Sequence, residues 1–169
     1  MSLLEKQIEL VKTIYKEVEK ANYRIKPIIV GKFALTIYTQ GMYPSNMISL
    51  LFPDLNLLAK ILKDLGFEKV GDFWVKDDLV VEISKKFHLI PEGTFNQIEV
   101  DGQIINVISI EDLLIDMMNQ CVEGDETVCD LIKLMIKSYK RAINFHDIYK
   151  KLKDKRALIK FRQYQKLAT

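Results

Sequence analysis

The sequence predicts an α+β domain: a small mixed β-sheet flanked by helices, with a C-terminal helical extension. Three observations carry this. Apolar residues recur at helical spacing near the N-terminus. Short β-branched runs bounded by Gly, Pro and Asp fill the middle. From about residue 109 onward only helical spacing is left.

Leu4, Ile8, Val11, Tyr15 and Val18 form one stripe of a helix over about residues 2–21. Ile28-Ile29-Val30 is a β-branched run stopped by Gly31, and such a continuous run suits a buried central strand. Phe33 to Tyr38 reads as helix, and Gln40 to Pro44 as loop. Met47 to Phe52 is the second strand. Pro53-Asp54 then starts a helix that buries Leu55, Leu58, Leu62 and Leu65 and is capped at Gly66. Three short β runs follow, Phe67–Val70, Phe73–Val75 and Leu79–Ile83, with turns at Gly71-Asp72 and Asp77-Asp78. His88 to Thr94 reads as a loop. Asp101-Gly102 between Phe95–Val100 and Gln103–Ile108 is a strong hairpin signal. Ser109 and Asp112 form a capping pattern before the stripe Ile110, Leu113, Leu114, Met117, Met118. Three further helices follow, the last running to about Leu167.

Length and composition bound the rest. The 169 residues suit one domain with an appendage and can bury a core without metal or disulfide staples. Cys121 and Cys129 lie eight apart and only His88 and His146 join them, so no four-ligand zinc site is available. The cysteines read as reduced thiols in a reducing compartment. With no apolar run of transmembrane length and no signal-peptide start, the expected location is cytoplasmic, without membrane contact. The formal charge of +2 hides a split. Residues 1–132 carry 13 basic and 21 acidic side chains, and residues 133–169 carry 12 and 2.

Five stretches occur in an informative order: Ile29-Val30-Gly31-Lys32-Phe33-Ala34-Leu35, Ser45-Asn46-Met47-Ile48-Ser49-Leu50-Leu51, Asp64-Leu65-Gly66-Phe67-Glu68, Val80-Val81-Glu82-Ile83 and Ile108-Ser109-Ile110-Glu111-Asp112-Leu113. Over roughly residues 27–137 this order resembles the minimal nucleotidyltransferase fold, notably small prokaryotic AbiEii-type toxin relatives. The resemblance implies a nucleotidyltransferase-like domain at 1–138 and a basic helical extension, 139–169, packed on it. Active members carry Asp-x-Asp on the second strand and a third carboxylate nearby. Together these hold two metal ions that align a nucleoside triphosphate. A Gly-rich turn approaches the phosphates.

Here the Asp-x-Asp positions are Met47 and Ser49, and Lys32 follows Gly31. Only Glu82 is left of the carboxylates, and one carboxylate cannot hold two hard cations. No catalytic residues, metal or cofactor are therefore expected; Mg²⁺ would be needed only by an active enzyme. The expected function is that of a non-catalytic or repurposed member, the binding component of a toxin–antitoxin or defence-type system, with a protein partner. A residual ligand pocket would comprise Gly31, Lys32, Ser45, Ser49 and Glu82. Two alternatives stand beside it. One is an active nucleotidyltransferase acting on RNA or protein. The other is an RNA-binding protein using a polyanion patch of Lys150, Lys151, Arg156, Lys160 and Arg162, with Tyr149, Phe161 and Tyr164 interleaved. A solvated face, or pairing with the acidic tract Glu111, Asp112, Asp116, Glu123, Asp125, Glu126 and Asp130, explains the same patch. Arg141 and His146 share the Arg-x4-His spacing of HEPN ribonucleases, in which Arg stabilises phosphate charge and His does acid–base work.

Overall fold

The computed structural model describes residues 1–84 and 95–168. The expected loop at His88 to Thr94 lies outside them. The chain forms two compact units, Met1–Ile108 and Ser109–Thr169.

The first unit contains α1 (Leu3–Lys20), β1 (Ile28–Val30), α2 (Gly31–Tyr38), β2 (Ile48–Leu51), α3 (Leu55–Asp64), β3 (Glu68–Val70), β4 (Phe73–Lys76), β5 (Leu79–Ser84), β6 (Phe95–Val100) and β7 (Gln103–Ile108). The seven strands form one mixed sheet in the order β3-β4-β5-β2-β1-β7-β6. β1 runs antiparallel to β2 and parallel to β7, and β2 runs parallel to β5. Each of these elements matches a predicted one.

Local chemistry explains the boundaries. Asp54 accepts the Leu57 N–H at 3.0 Å and caps α3. Beyond its end, Gly66 adopts φ 92°, and Lys76 Nζ donates to the Leu65 carbonyl at 2.8 Å. Asp101 and Gly102 both have positive φ (49° and 80°), the turn geometry that matches strand twist.

Side chains alternate across the sheet. One face presents Ile29, Ile48, Leu50, Val81, Ile105 and Val107, all buried. On this side Ile8 and Val11 of α1, Phe33 and Ile37 of α2, and Ile29 and Ile105 surround one small gap. The other face carries Ser49 and Glu82 and is partly open: Ile104 and Phe73 are exposed. Tyr15 ties α1 to this scaffold. Its hydroxyl donates to the Pro27 carbonyl and accepts the Asn106 N–H at 2.9 Å. Burial pushes this phenol well above its ordinary range, against the lowering effect of the Asn106 bond.

The second unit is helical: α4 (Ile110–Val122), α5 (Glu126–Tyr139), α6 (Phe145–Lys151) and α7 (Lys155–Leu167). All four begin with a capping side chain, from Ser109, Asp125, Asn144 and Asp154. Phe161 is fully buried, with the rings of Phe145 and Tyr149 centred 6.0 and 5.6 Å away.

The expectation of two reduced thiols is corrected here. Cys121 and Cys129 form a disulfide, their Cα atoms 4.9 Å apart. The chain reverses at Gly124, so the end of α4 meets the start of α5 and an eight-residue spacing becomes a contact. The argument for a reducing compartment loses its basis. Among the described residues, no helix is long and apolar enough to cross a membrane.

Candidate functional site

The cluster begins at the β1–α2 junction. Gly31 has φ 65°, a conformation that costs an L-residue energy and that glycine adopts freely. A Cβ built on Gly31 would lie 3.5 Å from both Cβ and Oγ of Ser49. Ser49 is 6 % exposed and sits in register between Val30 of β1 and Glu82 of β5. Residues in register share a face of the sheet, so Ser49 and Glu82 point to the same side. Gly31, Ser49 and Glu82 are therefore brought together across three adjacent strands.

The other expected pocket residues have different surroundings. Lys32 is exposed in the first turn of α2. Ser45 is buried and its polar atoms are engaged. Its hydroxyl donates to the Met47 carbonyl at 2.7 Å and accepts the Met47 N–H, and its carbonyl accepts from Gln7 Nε2 at 2.8 Å. Ser45 thus fixes the entry to β2 and ties it to α1. Met47 is half-buried just before β2.

The two-metal arrangement implied by the resemblance can be tested against these donors. A thioether, a hydroxyl and one carboxylate occupy the three positions. Hard divalent cations select several anionic or carbonyl oxygens, so this set does not fit two Mg²⁺ ions. Among the described residues, no group of three or more His, Cys, Asp or Glu side chains gathers as a metal site.

Glu82 also borders a cleft of about 490 Å³. The first turns of α3 contribute Leu55, Asn56 and Ala59; Lys69, Asp72 and Trp74 come from β3, its turn and β4; Ile83 and Ser84 follow Glu82 on β5. Sequence reading missed this cleft. Lys69 and Trp74 meet only through the β3–β4 register, and no spacing in the chain marks the two with Asn56 as one cluster. Asp72, Asp77 and Asp78 are exposed in turns, as the sequence suggested, and Asp78 accepts from Lys6 Nζ at 3.1 Å.

The basic patch is partly consumed inside the second unit. Lys151 Nζ lies 3.3 Å from Asp112 Oδ1 and 3.2 Å from Asp147. Desolvation lowers the Lys151 pKa, but Asp147 and Asp112 outweigh it, and the net shift is upward. Asp112 is almost fully buried, and its Oδ2 has no hydrogen-bond partner among the described residues. Arg156, itself exposed, pairs with half-buried Asp154 at 3.0 Å and with exposed Glu123 at 3.6 Å. The Arg162 guanidinium lies 5.6 Å from the centre of the Tyr149 ring. Lys150 is exposed and Lys160 half-buried. Of the acidic tract, Glu111 accepts the Asn144 N–H at 2.9 Å, and Asp125 caps α5. Arg141 lies in the turn after α5 and His146 in the first turn of α6, both exposed.

No family model matches the sequence, and no curated protein matches it. Solved structures do match in fold. A crystal structure of ANT(2'')-Ia in complex with adenylyl-2''-tobramycin superposes with a TM-score of 0.60 at 16% identity, covering 97% of this chain and 99% of that one. A candidate nucleotidyltransferase from H. pylori gives a TM-score of 0.57 at 15% identity, covering 99% and 97%. JHP933 from Helicobacter pylori gives 0.56 at 14%, covering 99% and 94%. The chain has the α+β nucleotidyltransferase fold.

Proposed function

We propose that this chain is a nucleotidyltransferase-fold protein that does not transfer nucleotides and serves as a binding component. The carrying observation is the residue between Gly31 and Glu82. It is Ser49, which a Cβ added at Gly31 would meet at 3.5 Å and which pairs in register with Glu82. In an active member that place belongs to a metal-binding carboxylate. A toxin–antitoxin or defence-type setting, with a protein partner, follows from the resemblance to AbiEii-type relatives. The nucleic-acid reading receives less support, because Lys151 and Arg156 already pair with carboxylates of their own unit.

The test is a transfer assay with labelled nucleoside triphosphates and Mg²⁺ or Mn²⁺. Acceptors should include cellular RNA, protein and tobramycin, since ANT(2'')-Ia is seen with adenylyl-2''-tobramycin. No acceptor should be labelled. Labelling that disappears in Glu82→Gln would establish the active alternative instead. Steeply salt-dependent RNA affinity, lost when Lys150, Lys160 and Arg162 are neutralised, would favour the third reading.

A further inference from the structure

The two edges of the sheet are unlike. At one edge β3 has three residues, and its Glu68 and Lys69 are both exposed. A short, charged edge gives an incoming strand little to pair with. At the other edge β6 has six residues in unbroken register with β7, and it holds no Pro, Lys or Arg. Alternate residues of an antiparallel edge strand turn their N–H and C=O groups outward. Among the described residues, the β6 backbone has no hydrogen-bond partner beyond β7. β6 is therefore an unguarded edge about 20 Å long.

Its side chains decide what fits there. In a two-fold pair of β6 strands, residues directly opposite lie on one face of the joined sheet. Two registers pair nearly the whole strand and keep the buried faces on one side. The first sets Ile98 opposite Ile98 of the second copy, with Gln97 opposite Glu99 and Asn96 opposite Val100. The second sets Gln97 opposite Gln97, with Glu99 opposite Phe95 and Asn96 opposite Ile98. The first is self-complementary. Ile98 pairs in register with buried Ile105, so an apolar row would run Ile105, Ile98, Ile98, Ile105 across both copies. Gln97 and Glu99 are exposed, and each Gln97 amide would donate to a Glu99 carboxylate, twice per dimer. The second register sets a carboxylate against an aromatic ring.

We propose that β6 is a homodimer edge: a second copy of this chain adds antiparallel to it, Ile98 against Ile98, and the two sheets become one. This goes beyond the proposed function and does not rest on it, so the transfer assay and the dimer can fail separately.

The test is sedimentation of the full chain, its Cys121–Cys129 disulfide intact, from about 1 µM to about 1 mM, the range suited to a small interface. The chain should pass from monomer to dimer. Two substitutions at exposed Gln97 read the register. Gln97→Glu places like charges opposite each other twice and should weaken the dimer about fivefold. Gln97→Lys places an ammonium opposite each Glu99 and should tighten it by a similar factor, a gain that a misfolded variant cannot produce. Ile98→Cys should give a disulfide-linked dimer under mild oxidation, and Asn96→Cys, opposite Val100, should not. A monomer throughout the range, a dimer indifferent to the charge at position 97, weakening by both Gln97 variants, or equal cross-linking at positions 96 and 98 would each overturn the proposal.

Discussion

The first unit is held by a sheet whose central strands bury one face under helices; the second, among its described residues, has no strand and relies on helix caps, an aromatic cluster, ion pairs and a disulfide. Their charges differ in the same way. In the first, 13 basic and 14 acidic residues are interspersed. In the second, the seven acidic residues up to Asp130 precede every basic one. The abrupt change of sign after residue 132 falls inside α5, and Lys151–Asp112 and Arg156–Glu123 pair residues from its two sides. A charge boundary in the chain is thus not a boundary in the fold. Segregated charges meet again when helices fold back on one another.

This contrast can be broken by substitution. The largest effect should come where the units are alike, in apolar packing. Phe161→Ala and Leu50→Ala each remove a fully buried side chain and should cost about 3 to 5 kcal/mol in urea unfolding. If Phe161→Ala costs under about 1 kcal/mol, its aromatic cluster is not the core of the second unit. Next is Lys151→Met, which leaves the buried Asp112 without its ammonium and should cost about 3 kcal/mol. Combining it with Asp112→Leu should recover part of that loss, because no buried charge is left. A third, smaller effect is reduction of Cys121–Cys129, which closes a short loop and should contribute about 2 kcal/mol. Amide exchange should then rise in α4 and α5 and not in the sheet.

Tyr15→Phe keeps the ring and removes both hydrogen bonds, for about 1 to 2 kcal/mol in the first unit. It also separates the units by pH. Tyr15 and Lys151 both have raised folded pKa values. Their stabilisation is complete below the unfolded values, about 10 and 10.4, and is lost as pH rises through the folded ones. Tyr15→Phe should flatten the alkaline decline of the first unit, and Lys151→Met that of the second. The smallest effect should be Asp78→Ala, which removes a solvent-exposed pair with Lys6 and should change stability by less than about 1 kcal/mol.

Much of the fold was legible because its signals are local. Gly66 ends α3, Asp101-Gly102 sets a hairpin, and Ser109 caps α4, each within a few residues. The meeting of Gly31, Ser49 and Glu82 was legible only through motif order, since three strands must align to make it. The disulfide, the Asp112–Lys151 pair and the Trp74 cleft were not legible. Each depends on how one element folds back on another, and neither the residue types nor their spacing encode that approach.

Tyr15 has a further consequence for motion. The Asn106 amide donates to its phenol, and a buried amide exchanges with solvent only when its acceptor moves away. Asn106 lies 91 residues along the chain from Tyr15. Its exchange rate therefore reads out how often α1 lifts from the sheet, an opening to which spectroscopy of the helices alone would be blind.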